Sequence, residues 1–116
     1  MLFRSPVTAN LGGLFFEARL KIEDITGCSV NVGFTDVATL EEPFTNTTDT
    51  VSAVADDAVG FIFDTAATTQ EWFTAGVKST TEATGIATTG VAPVNNTYQV
   101  LRCEIAADGE IGRAHV

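Results

Sequence analysis

Leu14-Phe15-Phe16-Glu17-Ala18-Arg19-Leu20-Lys21-Ile22-Glu23-Asp24-Ile25 is the stretch that decides the fold. On an extended chain Leu14, Phe16, Ala18, Leu20 and Ile22 share one face, and Phe15, Glu17, Arg19, Lys21 and Glu23 share the other. Alternation with period two marks a β-strand that buries one face. A helix would scatter Leu14, Phe16 and Leu20 around several faces. Cys28 to Thr35 alternates again, with Val30, Val32 and Phe34 opposite Ser29, Asn31 and Gly33. The two segments predict a hairpin. A two-residue turn at Thr26-Gly27 would set Ile22 against Asn31. A three-residue loop, Thr26 to Cys28, instead pairs Ile22 with Val32 and Leu20 with Phe34, and Gly27 supplies the positive φ such a loop wants.

Working outward, Asp36 to Asp57 reads as a long loop, with turn chemistry at Glu41-Glu42-Pro43 and Asn46-Thr47-Thr48-Asp49 and a short strand near Val51 to Val54. Val59 to Asp64 is a strand with Val59, Phe61 and Phe63 on one face. After a polar connection, Glu71 to Lys78 is another, with Phe73, Ala75 and Val77 opposite Trp72, Thr74 and Lys78. Ser79 to Asn96 is mostly loop, with a short edge strand at Gly85 to Thr89. Thr97 to Ala106 is a strand with Leu101, Cys103 and Ile105 on its apolar face. Asp108-Gly109 signals a two-residue hairpin that sets Glu104 opposite Arg113, Cys103 opposite Ala114 and Leu101 opposite Val116. The sequence stops inside that last strand. About seven short antiparallel strands and no helical period predict an all-β fold, a sandwich of the jelly-roll kind. It forms a single domain over 1–116, with 1–13 as an irregular N-terminal segment.

Composition agrees. The 116 residues include 18 Thr and only two Lys and one Met, a balance that favours pleated sheet over helix. Hydrophobic residues make up 45% and mean hydropathy is +0.20, enough for a core. Six cations against 15 acids leave a net charge of -9 and a pI near 4.2, which repels a phosphate backbone and argues against nucleic-acid binding. No apolar run is long enough for a membrane helix, and Met1 to Ala9 lacks the apolar region of a signal peptide.

Chemistry-bearing patterns are few. The single His115 has no Gly-x-Ser-x-Gly elbow to serve, and one His with two distant Cys makes no zinc site. Glu17 and Glu23 share a face, but Arg19 and Lys21 stand between them, which is charge pairing rather than a glycosidase pair. An enzyme is not expected. Calcium is the one cofactor left open, on Asp56, Asp57 and Asp64 with Asp36 nearby, against the plain reading of a solvated acidic loop. Trp72 and Tyr98, each on the polar face of its strand, are candidate carbohydrate-binding platforms, unless a second sheet or a loop covers them. Cys28 and Cys103 are either bonded across the sheet or simply buried thiols. Asn46-Thr47-Thr48 and Asn95-Asn96-Thr97 match glycosylation sequons, as chance allows in a Thr-rich chain.

The wording of Leu14–Ile25, Val32–Asp36, Val59–Asp64, Gln70–Phe73, Thr89–Pro93 and Thr97–Ile105 resembles bacteriophage virion structural domains of the concanavalin A-like, lectin and laminin-G type. The resemblance implies a non-enzymatic jelly-roll module on a virion, acting in capsid decoration or in a fibre through protein–protein contacts. A carbohydrate-binding, lectin-like module is the alternative, and a glycoside hydrolase of the same fold is disfavoured. Relative to that family both ends look short. The expected partners are therefore other virion proteins or a second copy, through homo-oligomer formation or strand exchange, with glycans a further option and no nucleic acid or membrane.

Overall fold

A computed structural model describes residues 14–82, 88–105 and 111–116, the backbone alone for 111–115. The described chain is all β: β1 (Leu14–Lys21), β2 (Ser29–Thr35), β3 (Phe44–Thr47), β4 (Thr50–Ala53), β5 (Ala58–Asp64), β6 (Phe73–Lys78), β7 (Thr81–Glu82), β8 (Tyr98–Ile105) and β9 (Ile111–His115). They form a three-stranded sheet in the order β1-β8-β9, a four-stranded sheet in the order β2-β5-β6-β7 and the hairpin β3-β4. Every pairing is antiparallel.

β1 alternates between half-buried and exposed residues along its whole length, as its sequence requires. The expected β1–β2 hairpin does not form. β1 pairs with β8, setting Ala18 opposite Leu101, and β2 pairs with β5, setting Val32 opposite Phe61. The apolar faces of β1 and β2 meet across the space between the sheets, where Phe16 and Phe34 pack edge to face at 5.6 Å. Either arrangement buries the same side chains, so alternation alone could not choose between them. The connection over residues 22–28 crosses from one sheet to the other. Gly27 in it does take a positive φ, 63°. Its ends are tied by Asn96 N–H donating to the Ile22 carbonyl (2.8 Å) and Thr65 N–H donating to the Cys28 carbonyl (3.1 Å).

Two cores result. The inner one lies between the sheets and holds Phe61, Phe63, Trp72, Leu101, Cys103 and Ile105, with Leu14, Phe16, Leu20, Val30, Val32 and Phe34 packed against them. The outer one lies between the four-stranded sheet and the β3–β4 hairpin, and holds Phe44, Val51, Ala58, Ile62, Phe73, Ala75 and Val77. β5 is thus buried on both faces. Three polar clips seat the hairpin. The Asn31 side chain accepts from Phe44 N–H and donates to the Phe44 carbonyl (both 3.2 Å). Glu82 accepts from Ala53 N–H at 2.6 Å. Asp49, at the hairpin tip, accepts from both the N–H and the hydroxyl of Thr69 at 2.7 Å.

β3 and β7 fall where the sequence predicts loop. Their turns, Thr48-Asp49 and Ser79-Thr80, hold both central residues at positive φ (51° and 65°; 49° and 66°). That is the geometry of a two-residue hairpin turn without the usual glycine. The β8–β9 register agrees with the expected one at Cys103–Ala114 and Glu104–Arg113, then slips by one residue to pair Ile105 with Ile111. The expected Asp108-Gly109 turn lies outside the described residues. So does most of the strand expected over Gly85 to Thr89, of which Thr88 bridges Phe73.

One close approach depends on composition. Gly33 and Gly60 face each other across β2 and β5. A Cβ built on Gly33 would stand 2.1 Å from the Val59 carbonyl oxygen, and one on Gly60 would stand 2.2 Å from the Val32 carbonyl oxygen. Only two glycines let these backbones run so near.

Candidate interaction surface

The two sheets differ in what covers their outer faces. The four-stranded sheet is roofed by the β3–β4 hairpin, whereas among the described residues nothing covers the β1–β8 face. Lys21 lies opposite Tyr98, Arg19 opposite Val100, Glu17 opposite Arg102 and Phe15 opposite Glu104. All point outward, because inward positions on β8 are taken by Leu101, Cys103 and Ile105. Phe15, Tyr98 and Val100 are 58%, 56% and 43% exposed. Arg19 lies over the Tyr98 ring at 4.1 Å from its centroid, and Lys21 approaches the same ring at 5.8 Å. Arg102 lies over Phe15 at 4.9 Å and reaches Glu17 and Glu104 at 3.9 and 3.8 Å. Three of the chain's six cations are therefore interleaved with exposed apolar rings on one face of a strongly acidic protein. Aromatic and Arg side chains held in place by such contacts are the usual anchors of protein interfaces.

The candidate platforms part company. Tyr98 lies on this open face. Trp72 is fully buried, its ring 5.8 Å from Phe63 and its indole N–H donating to Gln99 at 3.0 Å. Phe73, Ala75 and Val77 face the hairpin, so the side of the chain that looked polar at Trp72 is the inter-sheet space. The sequence-based expectation of an exposed ring there is corrected: Trp72 is a core residue with its polar handle satisfied.

The acidic residues do not converge either. Asp56 and Asp57 precede β5 and Asp64 ends it, so they lie about 20 Å apart along seven extended residues. Asp36 accepts from Asp57 N–H (3.2 Å), Asp57 from Ser79 N–H (2.9 Å) and Asp64 from Ala66 N–H (2.7 Å). These carboxylates secure turns, and among the described residues no group of three possible ligands comes together. Asp56 and Asp57, the expected calcium ligands, thus stand at one end of β5 and Asp64 at the other.

Cys28 and Cys103 are both free thiols beside the inner core. Burial pushes the Cys103 thiol up to about 11. Burial, then the carboxylates of Asp24 and Asp64, raise that of Cys28. Neither is poised as a nucleophile. Of the sequon residues, Asn95 is exposed and accepts from Ile25 N–H, while Asn46, in β3 of the hairpin, is fully buried.

A pocket of about 170 Å³ opens over the Gly33–Gly60 approach, walled by Pro43, Phe44 and Phe34. Its polar side chains are already engaged, Asn31 with the backbone of Phe44 and Thr35 with Val37 N–H. The open β1–β8 face remains the candidate site, and composition gave no hint of it, because only the pairing of β1 with β8 gathers these residues. No family model, curated protein or solved structure matches the chain.

Proposed function

We propose that the chain is a non-enzymatic structural module of a phage virion, a capsid-decoration or fibre component that works by protein–protein contact through its open β1–β8 face. In this proposal the sandwich is the concanavalin A-like jelly roll that the sequence resembles. One observation carries the contact reading: the chain covers the outer face of one sheet with its own hairpin and leaves Phe15, Tyr98, Val100, Arg19 and Lys21 exposed on the other. The virion assignment is supported by the sequence resemblance. A partner presenting carboxylates between apolar side chains suits this face best, since Arg19 and Lys21 flank Tyr98. Tyr98 stands without Trp72, so a glycan platform has less support than a protein contact.

The test is made on particles of the phage that encodes the chain. Immunogold labelling is expected on the particle exterior. Particles carrying Arg19→Ala with Tyr98→Ala are expected to incorporate much less of the protein while its thermal melt stays unchanged. Absence of the chain from purified particles overturns the proposal.

A further inference from the structure

Among the described residues β1 has a neighbour on one side only, β8. Its other edge is eight residues long, without Pro or Gly. Such edges are usually guarded by charges that repel another strand. The charges of β1 are instead of mixed sign: Glu17, then Arg19 and Lys21.

We infer that β1 is a self-pairing edge, joining two copies antiparallel about a two-fold axis at Ala18. In that register the outward face sets Glu17 opposite Arg19 and Phe15 opposite Lys21, each twice. The inward face sets Phe16 opposite Leu20, twice, with Ala18 opposite Ala18. Every pair is complementary, of the kinds that stabilise antiparallel sheets. The neighbouring registers fail. An axis at Glu17 brings Glu17 against Glu17, and an axis at Arg19 brings Arg19 against Arg19. An axis between two residues sets inward side chains opposite outward ones. Of the registers centred on Glu17, Ala18 and Arg19 this one survives, and it is isologous, so it closes at a dimer. It fuses two three-stranded sheets into one of six strands and places two open β1–β8 faces side by side. This goes beyond the proposed contact function and stands or falls without it: a monomer would refute the pairing and leave the particle labelling untouched.

The experiment is sedimentation velocity on the full chain over a concentration series. Wild type is expected to show a concentration-dependent dimer. Glu17→Arg alone and Arg19→Glu alone should each weaken it tenfold or more. The two exchanges in one chain should restore it to within a few-fold of wild type, because each residue meets the other's position across the axis. Glu17 also pairs with Arg102 in its own chain, so a second readout is independent of those variants. Under mild oxidation Ala18→Cys should give a disulfide-linked dimer. Glu17→Cys should crosslink only when mixed with Arg19→Cys, and wild type sets the background for Cys28 and Cys103. A wild type that stays monomeric throughout, a dimer indifferent to the single exchanges, or crosslinking without this register preference overturns the inference; an edge taken by a different protein would be seen as a monomer here.

Discussion

β1 and β5 are strands of similar length with opposite fates. β1 has one side against the inner core and one side in solvent, and its burial alternates residue by residue. β5 is central in its sheet and covered twice, by the three-stranded sheet on one side and by the β3–β4 hairpin on the other. Phe61 and Ile62 are adjacent and both fully buried, pointing into different cores. The contrast shows how this chain divides its labour. One sheet is sealed by the chain's own hairpin, while among the described residues nothing covers the outer face of the other.

Adjacent substitutions should expose that division. Phe61→Ala and Ile62→Ala should each cost about 2–5 kcal/mol, because each empties a packed site in a separate core. On β1 the same pair of positions should split. Phe16→Ala should cost about 2 kcal/mol, whereas Phe15→Ala, which loses mainly its contact with Arg102, should cost less than about 1 kcal/mol. Urea denaturation of the four variants measures this directly. An Ile62→Ala effect as small as that of Phe15→Ala would mean that the hairpin does not seal the sheet.

Smaller effects separate backbone from side-chain causes within the sealed sheet. Gly33→Ala should cost about 3 kcal/mol, since the added carbon meets the Val59 carbonyl and the strands must part. Gly27→Ala is the control. Gly27 has positive φ but nothing within 4 Å, so only the left-handed backbone is penalised, by about 1 kcal/mol. Equal melting shifts for the two would refute steric contact as the cause. Asn46→Leu should go the other way. Both side-chain amide atoms of Asn46, in β3 of the hairpin, are buried without a hydrogen-bond partner. Replacing them with carbon of similar shape should add about 1 kcal/mol to stability.

These positions also show what could be read from the sequence. Strands exposed on one face, β1 and β8, were legible because water on one side and core on the other write period two into the residues. One apolar set on each of β5 and β6 was legible too, but the covering of their other faces was not. Ile62 and Trp72 look like outward residues until a hairpin or another sheet is placed over them. That hairpin was missed because Thr48-Asp49 performs a turn usually assigned to Asn-Gly. The β1–β2 pairing was misread because facing and neighbouring strands bury equal apolar surface. The candidate surface shared that fate, since it exists only once β8 lies beside β1.

The hairpin tip supplies the smallest effect, and the one with a defined pH dependence. Asp49 is held below the ordinary carboxylate range, first by the Thr69 backbone N–H and then by the Thr69 hydroxyl, both of which bond its charged form. A carboxylate with a lowered folded-state value adds stability above its unfolded value near 3.8, and that stability disappears as pH falls through the lower folded value. Acidification below 3.8 should therefore loosen the clip between the hairpin and the β5–β6 connection. Asp49→Asn should remove that part of the acid dependence and leave the melting curve at neutral pH only slightly lowered. Hydrogen exchange at Val51 and Thr69 provides a local readout. Protection there should fall on acidification in the wild type, while the β1–β8 pairs, which this carboxylate does not touch, keep theirs. Loss of protection in both regions together would show that the hairpin and the open sheet unfold as one unit, and that the division between a sealed and an open face is not a division in stability.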